Sequence, residues 1–509
     1  MSSPENSNLY SRFRAAFPSD TTRVLLRTSS GATYSYEDAE RESARLANCL
    51  VALGAAVGDR LTVQVDKSPE ALWLYLACLR AGLIYQPLNT AYQESELAYF
   101  LENSEPCIVV CSRQSQEVFT KLAAAAGVRH VLSRDKDGSG TLSAIAAEHA
   151  TNFDTVAREA DDLAALLYSS GTTGRPKGIM LSHDNLAVNG AALVDIWGFS
   201  GEDVLLHALP VFHVHGLFVA ISCVLLSGAS MYWLEKFEVG EVMAALPHSS
   251  VMMGVPTYYT RLLAEPSFGR DSCAGIRLFI SGSAPLLTET FEDFRQRTGH
   301  TILERYGMTE TGMNSSNPLH GERRAGTVGL PLPGVELRIV NTEGAELAAA
   351  ETGDLQVRGP NVFKGYWRME QKTREDFTAD GFFNTGDKAS MSVDGYLSIV
   401  GRSKDMIICG GLNVYPKEIE NILDAMDGVV ESAVIGVPHA DFGEAVVAVI
   451  VCAAQASLDE SDVISSCRNH MANFKVPKRV FTVQALPRNA MGKVQKNVLR
   501  DQFADSCVA

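Results

Sequence analysis

Residues 166–183 read LLYSSGTTGRPKGIMLSH. LAALLYS, which ends at Ser169, and GIML, which begins at Gly178, are short apolar runs of strand length, so the turn between them joins two strands. Gly171 and Gly174 permit sharp turns there and let backbone N–H groups come close to an anion. Ser169, Ser170, Thr172 and Thr173 add hydroxyl donors, and Lys177 adds a point charge. The ligand that suits this chemistry is a polyphosphate. The pattern G-x-x-x-x-G-K-[ST] is not met, because Pro176 stands where its second glycine would be and a strand, not a helix, follows Lys177. No GxGxxG follows a strand either, which excludes the usual dinucleotide cradle.

Outward from this loop, between about Tyr34 and Arg305, strand-like runs (RLTVQV, EPCIVVC, VLLHALP, ASMYWL, SVMMGV, RLFIS) alternate with helical segments such as SPEALWLYLACLRAG and LTETFEDFRQRTG. That rhythm predicts an α/β fold of parallel sheets with helices on their faces. From about Val335 the texture changes to VELRIV, DLQVRG and GYLSIVGR with Asp-Gly turns at Asp380-Gly381 and Asp394-Gly395, which predicts a small antiparallel β unit. After GRSKD a helix, two strands and a second helix predict a compact α+β unit at the C-terminal end.

The chain has 509 residues, 46% of them hydrophobic, enough for more than one folded unit. Its Lys+Arg total of 44 against an Asp+Glu total of 60 gives a net charge of −16, without basic blocks, which argues against a nucleic-acid partner. The ten cysteines are scattered without a CxxC pair, as in a reduced compartment, and structural zinc has no support. No signal peptide is evident at the N-terminus, and GLFVAISCVLL is too short to span a membrane, so a buried helix and a cytoplasmic location are expected.

Other segments fit the nucleotide that the loop suggests. RYGMTETG offers the ring of Tyr306 for an adenine, beside the Gly307 turn, with Thr309 behind it and Glu310 as a hard oxygen ligand for Mg²⁺. Asp387 in NTGD and Arg402 in the Gly-Arg pair offer the carboxylate and guanidinium that a ribose diol would use.

Together YSSGTTGRPKG, YGMTET, NTGD, GRSKD, CGGLNVYPKEIE and LPRNAMGK resemble, in the same order and over nearly the whole chain, the adenylate-forming superfamily of acyl-CoA synthetases, luciferases and peptide-synthetase adenylation domains. The resemblance implies a large N-terminal ATP- and acyl-binding domain (1–402), a hinge (403–405) centred on Lys404, and a small mobile C-terminal domain (406–509). It implies an acid–thiol ligase: a carboxylate attacks the α-phosphorus of MgATP, pyrophosphate leaves, and the thiol of coenzyme A displaces AMP. By the same resemblance Ser169, Ser170, Gly171, Thr172, Thr173, Gly174 and Lys177 bind the β- and γ-phosphates. Gly282, Ser283 and Ala284 line the adenine and acyl pockets, as do Tyr306, Gly307, Met308 and Thr309. Lys493, in PRNAMGK, bridges the substrate carboxylate and the α-phosphate, and its acetylation by a lysine acetyltransferase would remove that charge.

HALPVFHVHGLFVA, MGVPTYYTRLL, ISGSAPL, LERYGMTETGMN and NVFKGYWR are similar to malonyl-CoA synthetases within that superfamily. The similarity implies that Arg261, as a buried guanidinium fork, and Ser283 hold the distal carboxylate of malonate, with His213 and His215 nearby. Val214 and Met308 would bound the space at the α-carbon, where methylmalonate also fits if room remains. The alternatives are another short or medium-chain acid, or a carrier-protein thiol in place of free coenzyme A.

Overall fold

Strands Leu163–Ser169 and Lys177–Ser182 pair antiparallel with Ser169 opposite Lys177, so both ends of the glycine-rich turn are cross-strand neighbours. The computed structural model describes residues 6–169, 176–409, 412–439, 443–453, 456, 458–471, 473–489 and 492–507. A turn this short cannot make the crossover of about a dozen residues that a parallel return needs. The hairpin closes a six-stranded sheet in the order His130–Ser133, Ile108–Cys111, Arg60–Gln64, Ile84–Pro87, Leu163–Ser169, Lys177–Ser182, parallel except at this last pair.

A nine-stranded sheet is parallel through its centre, where Leu303–Met308, Leu278–Ser281, Val251–Gly254, Val204–His207, Ser230–Trp233 and Val24–Thr28 follow one another. Both of its edges turn antiparallel, at Thr33–Ser35 on one side and at Gly312–Ser316 and Leu330–Pro331 on the other. The alternation in the sequence therefore describes the centres of the sheets, and short connections reverse the chain at their edges.

Helix Pro69–Arg80 shows how local chemistry sets these elements. Ser68 caps it by accepting from Ala71 N, Pro69 opens its first turn, Arg80 closes its last, and every residue but Glu70 is buried. GLFVAISCVLL is buried as expected, but its first part, His215–Ala220, is a π-helical turn that continues as the α-helix Ile221–Ser227. Among the described residues no helix is long and apolar enough to cross a membrane. All ten cysteines are free thiols.

The antiparallel unit is a four-stranded sheet, Glu336–Val340, Gly353–Arg358, Phe383–Met391, Leu397–Arg402. Beyond it the chain makes a turn at Ser403–Asp405 and enters a five-stranded sheet, whose buried side chains, from Ile407 to Leu499, form two clusters of their own.

Asp203 ties three neighbouring strands of the nine-stranded sheet at their N-terminal ends. Its buried carboxylate accepts from Ser250 Oγ at 2.7 Å and from Arg277 Nε and Nη2 at 2.7 and 2.8 Å, just ahead of the strands that start at Val204, Val251 and Leu278. The opposite, C-terminal ends, at His207, Gly254 and Ser281, are where α/β sheets bind ligands. Asp203→Ala should destabilise the N-terminal part by about 2–3 kcal/mol. Urea unfolding followed by tryptophan fluorescence checks this, and an unchanged midpoint would mean that the tie is dispensable.

Candidate functional site

Of the phosphate-loop residues, Ser170, Gly171, Thr172, Thr173 and Gly174 lie outside the described residues, so the loop is known by its two ends. At one end Lys177 Nζ stands 3.9 Å from Asp376 Oδ2 and 4.5 Å above the Tyr366 ring. The segment carrying Tyr366 lies along the same strand, since Trp367 N donates to Gly178 O at 2.7 Å and Met180 N to Gly365 O at 3.1 Å.

Register brings the next residues together. Asp387 and Arg402 are direct cross-strand partners in the four-stranded sheet, and Arg402 Nε sits 2.8 Å from Asp387 Oδ1. Tyr306 Oη, from the nine-stranded sheet, donates to Asp387 Oδ2 at 2.5 Å. Each oxygen of the Asp387 carboxylate thus has a partner within the protein, where the sequence suggested a carboxylate and guanidinium free for a ribose diol. A carboxylate retains further lone pairs, so the group can still accept. Burial and the Asp387 charge hold the Tyr306 phenol well above its ordinary pKa, which keeps it the donor.

Glu310 is buried on the same side. Desolvation raises its carboxyl pKa, and Arg402 and Lys177 oppose the rise. Among the described residues no cluster of three or more His, Cys, Asp or Glu could hold a metal ion by itself. A single hard carboxylate within reach of Lys177 does fit Mg²⁺, which takes one or two protein oxygens and completes its shell with phosphates and water.

The other side of Leu303–Met308 faces different chemistry, because side chains alternate along a strand. Arg305 points away from Tyr306 and lies under the SGSAP segment. It is 3% exposed, and Nε and Nη2 have no hydrogen-bond partner. The guanidinium presses on Gly282, where an added Cβ would come within 2.4 Å of Arg305 Cζ. Desolvation lowers Arg305 to about 10. Its charge reaches His213 and His215 on one segment and Tyr259 on another. His215 N donates to His213 Nδ1 at 3.3 Å, and His215 Nδ1 lies 3.2 Å from Ser283 Oγ. Burial and Arg305 push His213 down to about 4 and His215 well below its ordinary value, so both rings are neutral. Ser283 is held at φ +71°, a left-handed conformation that a non-glycine residue adopts only under constraint. Val214 is buried and Met308 half-buried at the same place.

Arg261 departs from its expected burial. Helix Pro256–Leu263 buries Tyr259 and Leu262, which turns Arg261, two residues past Tyr259, outward to an exposed position with Glu238 in electrostatic reach. It shares a helix face with Thr257, one turn earlier, and Thr257 is where the Lys493 loop arrives: an added Cβ at Gly492 would lie 3.3 Å from Thr257 Oγ1. That loop is closed by Asn489 N donating to Lys493 O at 2.9 Å and Lys493 N donating to Asn489 Oδ1 at 3.0 Å. Lys493 therefore stands at the mouth of the cleft, near Arg402, Asp387, Lys404 and Asp405. Lys404 is exposed in the Ser403–Asp405 turn, and Asp405 pairs with Arg500 at 2.6 Å.

The Lys493 side chain stays open to solvent while protein surrounds it. That crowding, with the charges of Arg402 and Lys404, lowers its ammonium to about 8. Arg305 was not among the residues singled out from the sequence, although the alternation Leu303–Met308 already set it opposite Tyr306.

Comparison with known proteins follows this geometry. Residues 12–367 match the AMP-binding enzyme family and residues 418–493 its C-terminal domain. The chain is 37% identical to the mitochondrial malonate–CoA ligase ACSF3 of Mus musculus, over 92% of this chain and 85% of that one. It superposes on ATP-bound MatB from Rhodopseudomonas palustris with a TM-score of 0.97 at 51% identity, covering 98% and 99% of the two chains. On apo MatB from the same organism, at the same 51% identity and coverage of 98% and 99%, the TM-score is 0.86. The superposition is thus better on the ATP-bound than on the apo structure.

The crowding at Lys493 gives a measurable consequence. With lysines reductively methylated using ¹³C, the Lys493 resonance should titrate near pH 8, well below the exposed lysines. A midpoint with the bulk of the lysines would mean that the cleft does not desolvate it.

Proposed function

The chain belongs to the AMP-binding enzyme family, and from that premise we propose that it joins malonate to coenzyme A in two steps, through malonyl-AMP, with release of pyrophosphate and then AMP. A carboxylate has no usable leaving group at neutral pH. Its conversion to a mixed anhydride with AMP makes the carbonyl open to a thiol.

Residues 169–174 and Lys177 stabilise the charge that develops on pyrophosphate. Glu310 would hold Mg²⁺, which when bound would neutralise phosphate charge. Tyr306 and the 282–284 and 307–309 segments form the adenosine pocket, and Asp387, oriented by Arg402, accepts from the ribose hydroxyls. Lys493 brings together two anions, the attacking carboxylate and the α-phosphate, that would otherwise repel. Its place on the C-terminal unit lets rotation about Lys404 remove it before the thiol arrives, with residues 1–402 and 406–509 as the two moving parts. Acetylation of Lys493 would abolish the bridging charge.

The observation that carries the choice of a dicarboxylic acid is Arg305. Among the described residues no carboxylate pairs with the buried Arg305, which is destabilising, and a distal carboxylate bound beside His215 and Ser283 would supply a counter-charge. Arg261, exposed at the rim, adds a second guanidinium. A monocarboxylic acid would leave Arg305 unpaired, so it should be rejected strongly.

Purified protein with MgATP and coenzyme A should release AMP with malonate while acetate, butyrate and benzoate stay near background. Turnover with a monocarboxylic acid at least equal to that with malonate would sink the dicarboxylate reading. Product formation only on a carrier-protein thiol would replace coenzyme A as the acceptor. Arg305→Met and Arg261→Ala should each lower kcat/KM for malonate by about 100-fold or more while ATP binding measured by calorimetry is retained. Unchanged malonate kinetics in both variants would show that neither guanidinium meets the acid.

A further inference from the structure

Behind the expected acid site lies a buried lysine that none of the steps above uses, and burial pushes its pKa well below the ordinary lysine value. Lys67, ahead of helix Pro69–Arg80, is 8% exposed, and no carboxylate pairs with it among the described residues. Its Nζ nevertheless has a partner for each N–H: His207 Nδ1 at 2.8 Å, His207 O at 2.7 Å and the face of Trp233, whose ring centre is 4.5 Å away. The His207 ring stacks on Trp233 with centroids 4.9 Å apart. His207 Nε2 lies 2.9 Å from the carbonyl oxygen of Gly216. A carbonyl can only accept, so Nε2 carries the proton, and in the neutral ring Nδ1 is the acceptor for Lys67. Burial and the Lys67 charge keep His207 far below its ordinary pKa, in agreement with that tautomer.

Gly216 follows His215 in the π-helical turn His215–Ala220. This backbone has no slack, since an added Cβ at Gly216 would lie 2.0 Å from Pro210 O. A bond to the Gly216 carbonyl therefore sets the placement of His215, whose Nδ1 meets Ser283 Oγ. Lys67 comes from the six-stranded half of the protein and His207 ends a strand of the nine-stranded sheet, so the chain of contacts also joins the two halves.

We propose that Lys67 and His207 are positioning residues for acid recognition: they fix the π-helical turn and so aim His215 and Ser283 at the substrate's distal carboxylate. This rests on the acid site of the proposed function, and the assay uses whichever acid the wild-type protein turns over best, so failure of malonate is read separately from failure of the pair.

The decisive comparison is steady-state kinetics of Lys67→Met, His207→Gln and His207→Asn, with melting temperatures. Methionine keeps a chain of similar length but leaves His207 Nδ1 and His207 O without their donor, so some stability is lost. Lys67→Met should melt below wild type yet remain folded at the assay temperature, raise the KM for the acid by about tenfold or more, and leave the KM for ATP within about twofold. Glutamine can still donate to Gly216 O, whereas asparagine is too short to reach it. His207→Gln should therefore keep more acid affinity than His207→Asn. If Lys67→Met does not fold, the two His207 variants decide. Acid KM values within about twofold of wild type in the folded variants, or a loss that falls equally on acid and ATP, would overturn the assignment and leave the pair a packing feature.

Discussion

Asp387 is the point on which the nucleotide side of the protein turns. One carboxylate takes a phenol from the nine-stranded sheet and a guanidinium from its own cross-strand partner, and that partner, Arg402, is the last residue before the turn into the C-terminal unit. Through it the wall that carries Tyr306, the sheet that carries Arg402 and the start of the Ser403–Asp405 turn share one set of bonds. Lys493 returns to the same place from the C-terminal unit, and its lowered pKa comes first from crowding by the protein and then from Arg402 and Lys404, with Asp387 and Asp405 opposing them. A cleft that gathers Arg402 and Lys493 in a partly desolvated space suits an anion.

The acyl side follows a second constraint. Strand Leu303–Met308 has two faces, and the protein uses both, Tyr306 toward Asp387 and Arg305 toward Gly282. Arg305, the neutral histidines and the strained Ser283 are each unfavourable for folding alone. Together they form a preorganised set of donors, with Arg305 as their one permanent charge, whose cost in stability is carried by the large apolar core around them. Behind that set, Lys67 and His207 reach across from the other half of the protein to the turn on which His215 sits.

Much of this was legible in the chain itself. The strand, glycine turn and returning strand at 163–182 depend on neighbours in sequence, so apolar runs and glycines suffice to read them. The change of texture near Val335 marks the four-stranded sheet for the same reason, and the motifs around Tyr306, Asp387, Arg402 and Lys493 name residues that the fold does bring into one cleft. Arg261 shows where such reading stops. Its spacing from Tyr258 puts the two on one helix face, but periodicity alone does not say which face meets the core, and the helix buries Tyr259 and Leu262 instead.

The sequence by itself determined the α/β architecture and the strand–turn–strand at 163–182, and it named the groups proposed to handle a nucleotide and an acid, because each is written in residues close together along the chain. Only the tertiary structure decided that Arg305 rather than Arg261 is the buried guanidinium, that Asp387 is held from two sides, and that Lys67 reaches His207 from 140 residues away. Burial and long-range pairing depend on how sheets stack, and that information is spread over the whole core rather than carried by any one segment.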